Sequence, residues 1–271
     1  MNVKIILVLL FTCTLVFSKV YYSKIEPYEL RTIASNVSGM VLFTDDNMIG
    51  KKLSNKVFIK IDSELDKDEL KAVNKKLVYQ NNILKLDVKV LENLKQMLVR
   101  KKVNYKKIEN LKIKSRIEKD KEFYDLVSSE NSYLATQKEI NNLKINISDL
   151  KLKKQQLLKS INDKNICADN FVLYAILVKA GQSVNPTTPL AKVADTSKGL
   201  LSIYLDEDDL VGLKNKTIFI DGKKTDYKIA RISYIADEKN ISKYKAQIIM
   251  KTPKIFSKLV KIELKERTDE K

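Results

Sequence analysis

A chain of 271 residues that is 31% charged and 7% aromatic has the length for one or two globular cores, or for one modest core and an extended, solvated element. It has no His and no Trp, which removes the commonest general base and metal ligand; with no G-x-S-x-G, P-loop, G-x-G-x-x-G or suitably placed S-x-x-K, no enzyme class and no cofactor is supported. The net charge of +17 is carried by lysines spread along the whole chain, and without an RNP-like motif, zinc finger or basic zipper it reads as solvated surface with some membrane attraction, not as a nucleic-acid site.

The first predicted element fixes the compartment. Met1 to Lys4 form a short basic region, and Ile5 to Phe17 an apolar run of 13 residues, the size of a signal-peptide core. Val16-Phe17-Ser18 permits cleavage after Ser18. Counting on through Val20, Tyr21 and Tyr22 gives nearly 20 mostly apolar residues with tyrosines at the far end, as an uncleaved anchor would have. Residues 1–22 therefore read as a signal peptide or an N-terminal membrane anchor, and either exports the rest. Cys13, preceded by Phe11-Thr12, sits in a poor lipobox. Cys167 is then left without a partner for a disulfide or a zinc site and is expected to be a buried structural residue.

Two segments then read alike. Met40-Val41-Leu42-Phe43 is followed by Gly50-Lys51-Lys52-Leu53, and Phe171-Val172-Leu173-Tyr174 by Gly181-Gln182-Ser183-Val184. Val41 to Gly50 and Val172 to Gly181 are both nine residues, and each copy runs on to an aspartate, Asp62 or Asp195. Each is a strand, a glycine turn and a second strand. Alone each buries little; together, as residues 30–63 and 165–198, they can close a small sandwich over one core. Neither copy carries the Met-Lys-Met or Asp-Lys-Ala tripeptide of a swinging biotin or lipoyl arm, so a carrier role is disfavoured.

Residues 64–164 contain no Gly and no Pro. Leu70, Leu77, Leu84, Leu91, Leu98 and Tyr105 recur every seven residues, with Val73, Leu94 and Ile108 at +3 and Gln80, Asp87 and Lys101 interrupting. In a second arm Leu126, Tyr133, Ile140, Ile147 and Ile161 keep the same interval, broken by Lys154, with Leu143, Leu150 and Leu157 at +3. Such seams specify a supercoiled helix pair. If the flanking copies form one unit, the insert must leave and return, so the pair is an antiparallel hairpin. Its arms of about 45 residues would extend about 65–70 Å, and its fold-back lies near residues 110–117. Asp62 or Ser63 caps the first arm, ahead of Glu64, Asp66 and Asp68.

Residues 199–252 read as a small β-unit: strands at Leu201–Leu205, Thr217–Ile220, Tyr227–Ile235 and Tyr244–Met250, a short helix over Asp206–Lys214 and a turn at Asp221-Gly222. The acidic run Asp206–Asp209 lacks calcium-loop spacing and is expected to serve the helix N-terminus. Residues 253–271 read as a charged tail.

These parts in this order resemble the HlyD-like membrane fusion proteins, the periplasmic adaptor subunits of efflux and secretion systems. The likeness is carried by Ser38-Gly39-Met40-Val41 with Gly50-Lys51-Lys52-Leu53, by Gly181-Gln182-Ser183-Val184 with Pro189-Leu190 and Val193-Ala194-Asp195, and by Leu201 to Leu213, over roughly residues 30–250. The chain departs at Ala168-Asp169-Asn170-Phe171-Val172, where the family often has Ala-Pro-Phe-Asp-Gly, and near Asn55, where a second Gly is replaced; it is also short for a fourth, membrane-proximal β-domain. The resemblance implies an α+β fold: an antiparallel coiled-coil α-hairpin inserted in a split lipoyl-like (barrel-sandwich) β-domain, followed by a small β-barrel domain. It implies a non-enzymatic, homo-oligomeric adaptor in the periplasm, attached to the inner membrane by its N-terminus or its partner. Its partners would be an inner-membrane transporter of ABC or RND type and a TolC-like outer-membrane channel. The hairpin tip would meet the channel through Ile108, Leu111, Lys112, Ser115 and Arg116. The competing reading is a periplasmic coiled-coil scaffold or activator of cell-envelope machinery.

Overall fold

The computed structural model describes residues 19–236, 240 and 242–266. Residues 1–18, with the apolar run and Cys13, lie outside the described residues, and no helix among the described residues is long and apolar enough to cross a membrane. Strands β1 (Val20–Lys24), β2 (Glu26–Ala34), β3 (Gly39–Thr44), β4 (Lys52–Ser54) and β5 (Ile59–Ile61) lead into helices α1 (Glu64–Glu109) and α2 (Arg116–Asp163). The chain then returns through β6 (Asn165–Ile166), β7 (Asp169–Ile176), β8 (Ser183–Val184) and the long β9 (Pro189–Leu205). After the one-turn α3 (Glu207–Leu210) come β10 (Thr217–Ile220), β11 (Lys223–Lys224), β12 (Ile229–Ala236), β13 (Tyr244–Lys251) and β14 (Leu259–Lys265).

The two repeats close on each other by exchanging partners. Val41 N–H donates to Gln182 O and Gly181 N–H to Val41 O; Leu173 N–H donates to Lys51 O and Gly50 N–H to Leu173 O. Each copy's first strand thus pairs with the other copy's residues just past its glycine, where φ is +80° at Gly50 and +87° at Gly181, a conformation that glycine reaches without strain. The residue equivalent to Val41 is therefore Leu173, one place beyond Val172, so the equal spacing read from the sequence is offset by a residue. Both copies share a register shift just after this residue, between Val41 and Phe43 in β3 and between Leu173 and Ala175 in β7. Val41, Leu53, Phe58, Ile61, Leu173 and Val184 share one buried core. Asn55 and Asn170 both take left-handed backbone, with φ of 59° and 63°, which Asn tolerates better than most residues. Cys167 is exposed, contrary to expectation, because the alternation of the strand puts Ile166 inward instead.

The rod leaves and re-enters through adjacent strands: β5 pairs with β6 at Ile59↔Ile166 and Lys60↔Asn165. Every a and d position from Leu70 to Ile108 is buried or half-buried, as the heptad requires. Asp62 Oδ1 accepts the Glu64 N–H at 3.0 Å, whereas the Ser63 side chain makes no capping bond. Asp66 ties the arms at their base, bound by Lys164 at 2.8 Å and by the Ser160 hydroxyl at 2.9 Å. Burial alone would raise its pKa, but these two donors outweigh burial and hold the carboxyl below its usual range.

The last unit differs from the sequence reading at both ends. Its core joins Leu201, Ile203, Leu205, Ile218, Ala246 and Ile248 to Ile25 and to Val260, Ile262 and Leu264. The segment expected as a charged tail thus supplies β14, whose alternate residues point inward, and β14 pairs with β1 along Val20–Lys24. Val20, Tyr21 and Tyr22 belong to this sheet and not to a membrane anchor. The boundary expected between residues 198 and 199 falls inside β9, which runs unbroken from the first core to the second. A Cβ on Gly199 would meet Met250 Cγ at 2.7 Å. Two sheets, β1-β14-β10-β11 and β12-β13-β9, surround this core. Among the described residues no ladder joins β11 to β12, so the barrel is not closed by backbone pairing. The acidic run forms only a one-turn helix with no side-chain cap. Asp209 instead accepts from the Tyr21 hydroxyl and from Lys19, and no group of His, Cys, Asp and Glu among the described residues is placed to hold a metal ion.

Candidate functional site at the hairpin tip

The tip is a six-residue turn from Asn110 to Ser115, and its two turn-prone residues bracket it. Asn110 ends α1, with its side chain returning to Lys106 O at 3.4 Å. Ser115 is the N-cap of α2 in a capping box: its hydroxyl accepts the Glu118 N–H at 3.3 Å while its own N–H donates to Glu118 Oε2 at 3.0 Å. Lys114 adds a 2.8 Å bond to Glu118 Oε1. Lys114 first, then the amide and hydroxyl of Ser115, hold the Glu118 carboxyl at about 2. Lys119 reaches across to Glu109 O at 2.9 Å, and Tyr105 packs on Phe123 with ring centroids 5.7 Å apart. The turn is therefore pinned by local bonds, not by burial.

The five residues expected to meet a partner divide into two groups. Leu111, Lys112 and Arg116 are exposed, with Arg116 only 3.9 Å from Asp120 and otherwise in solvent. Ile108 is half-buried in the seam, and the Ser115 hydroxyl is engaged by Glu118. Ile113 and Ile117, at 95% and 81% exposure, are the most prominent apolar groups of the tip and lie outside the five named residues. Their signal was available: Ile113 falls in the turn, outside both heptad registers, where no core can receive it.

Charge is less evenly placed than the lysine distribution implies. From Asn93 to Ile108, α1 has six Lys and Arg and no carboxylate. Lys102 pairs with Glu130 across the arms, and Lys101 reaches Asp125 O. The departure comes both from missing acids and from a density of Lys and Arg about twice that of the whole chain.

No protein-family model and no curated protein matches the chain. Among solved structures, MacA from Actinobacillus actinomycetemcomitans superposes with a TM-score of 0.70 at 18% identity, over 91% of this chain and 78% of that one. The membrane fusion protein Spr0693 from Streptococcus pneumoniae R6 gives 0.58 at 12% identity, over 93% of this chain and 100% of that one. A MacA–MexA chimera containing the Pseudomonas aeruginosa MexA α-hairpin domain gives 0.55 at 15%, over 92% and 82%. The chain has the fold of these proteins, an α-hairpin carried on β-sheets.

Proposed function

We propose that this protein is a non-enzymatic membrane fusion protein of the HlyD-like class, a periplasmic adaptor in efflux or secretion. It joins an inner-membrane transporter, of ABC or RND type, to a TolC-like outer-membrane channel. The observation that supports this most directly is the rod itself. It leaves and re-enters one small sandwich, with Ile61 N–H bonded to Lys164 O at 2.8 Å, and its 46-residue first arm spans about 69 Å at 1.5 Å per residue. Such a rod encloses no site and exposes a rigid end, which suits bridging. The apolar run at residues 5–17 supports tethering through the N-terminal segment.

In this reading Leu111, Lys112 and Arg116, with Ile113 and Ile117, make the channel contact, while Ser115 sets the turn and Ile108 packs beneath it. A second exposed stripe on α1, Tyr79, Ile83, Leu86, Val90 and Met97, follows the alternating four-three spacing of the internal seam, interrupted once at Asn93. A helix of matching length is what such a seam accepts, and a neighbouring copy of the rod supplies one. This supports a homo-oligomer.

Photo-crosslinkers at Lys112 and Ile113 in cells are expected to capture an outer-membrane protein, and one at Tyr174 on the sandwich is expected not to. Capture only from the β-sheets would overturn the tip assignment. Capture of a peptidoglycan hydrolase at the tip would favour the scaffold reading.

A further inference from the structure

The β-unit that does not carry the rod has, at one end, exposed apolar side chains that its core does not use. Three observations bring the segments that carry them near one another. Lys19, the first described residue, lies 2.9 Å from Asp209 and 3.6 Å from Asp206, so the chain enters beside α3. Asp206 follows Leu205, which pairs with Tyr244, and Tyr244 pairs with Ala236; the end of β12 is thus two strand spacings away, about 10 Å. Lys243 closes the row, 3.7 Å from Asp206. On this end Val211 is 76% exposed, Tyr234 70% and Ile235 81%, with Val20 also exposed. Val211 follows directly on α3 and precedes the left-handed Gly212, so it projects from a tight turn.

We infer that this face, Val211 with Tyr234 and Ile235, rests in the interfacial zone of the bilayer. The inference deepens the membrane tethering proposed above and rests on it. Its occupant follows from chain length. Phe17, the last residue of the apolar run, is two residues before Lys19, about 7 Å at full extension. If the run is embedded, this end of the β-unit is held against the headgroups. Exposed Val and Ile beside a Tyr are the residues that gain from that layer. Charge does not drive the contact. Among the described residues, Asp206 and Asp209 are offset by Lys19 and Lys243, and Glu207 and Asp208 match Lys214 and Lys216 in number, so no cationic patch calls for anionic lipid.

The absence of Trp makes a direct test available. Val211→Trp, Ile235→Trp and, as a remote control, Ile113→Trp each introduce the sole indole. The full chain of each variant is reconstituted in phosphatidylcholine liposomes with brominated acyl chains. The inference expects at least twofold quenching and a blue-shifted emission at positions 211 and 235, neither at 113, and little change when phosphatidylglycerol is added. All three positions are exposed, and circular dichroism verifies that each variant folds. Unquenched indoles at 211 and 235, in protein that still resists an alkaline wash, would overturn the face and leave the tether standing. Release of the protein by that wash would overturn the tether and the face with it. Quenching that appears only with phosphatidylglycerol would overturn the apolar basis of the contact.

Discussion

At the scale of single residues, the tip is where the sequence is least explicit and the structure most specific. Nothing in a run of Leu, Lys and Ile announces a turn, and the turn forms because Ser115 and Glu118 satisfy each other's backbone donors at the start of α2. Ser115→Ala should cost about 1 kcal/mol, seen as faster amide exchange over residues 116–119. Glu118 makes this cap acid-sensitive. Its carboxyl is held at about 2, below its value in an unfolded chain, so the stabilisation is fully present above the unfolded value near 4.5. It is lost as pH falls through that window toward 2. Amide protection in the first turn of α2, the observed exchange rate taken relative to the intrinsic rate at each pH, should therefore fall between pH 4.5 and 2, and Glu118→Gln should flatten the profile. An unchanged profile in that variant would show that another group closes the turn. Asp66 adds a second acid-labile tie, since Lys164 and Ser160 lower its carboxyl against the effect of burial; this one lies at the base of the rod.

At the scale of elements, the helices were legible because a heptad is a one-dimensional code. The interval from Leu70 to Ile108 named the seam positions that are buried or half-buried against α2, and the need for the chain to return between the two flanking copies required antiparallel arms. The same code flagged Gln80 and Asp87 as interruptions without saying what they meet. In the structure Gln80 Oε1 and Asp87 Oδ2 are buried without a hydrogen-bond partner, so these positions weaken the rod. Asp87→Leu is expected to stabilise the helices by about 1–3 kcal/mol, the cost of an unsatisfied buried acceptor. Leu98→Ala, at a buried seam position, should destabilise them by about 3 kcal/mol. Urea titrations followed by helical circular dichroism measure both, and a destabilising Asp87→Leu would mean that the carboxylate has an unseen partner. Strands were harder to read. β14 alternates Val260, Ile262 and Leu264 with Lys261, Glu263 and Lys265, a period-two pattern. It was masked by the charged residues around it, and only its pairing with β1, some 240 residues away in sequence, makes it a strand.

At the scale of the whole molecule, the split repeat was visible as similarity but not as pairing. Similar segments can stack, swap or ignore each other, and reciprocal bonds between Val41 and Gly181-Gln182 and between Leu173 and Gly50-Lys51 are a three-dimensional fact. They carry a consequence for the rod. The sandwich core takes its residues from 41–61 and 166–193, with none from α1 or α2, while Val73, Leu98, Ile140, Ile147 and Leu157 are buried in the rod itself. The two are thus separate cores joined by two adjacent chain crossings. Replacing residues 62–163 by Asn-Gly should turn β5 and β6 into an ordinary hairpin, because Ile61 N–H already bonds Lys164 O and a two-residue turn of that composition matches strand twist. The shortened protein is expected to lose its helical dichroism and keep a dispersed amide spectrum, with cooperative thermal unfolding within a few degrees of the parent's β-sheet transition. What the replacement removes is small: the Asp62 N–H bond to Met40 O and the buried Ser63. If the shortened protein instead unfolds or aggregates, the rod is part of the foundation on which the sandwich folds. The protein would then be one cooperative body, and a load applied at the tip would be felt directly in the β-sheets.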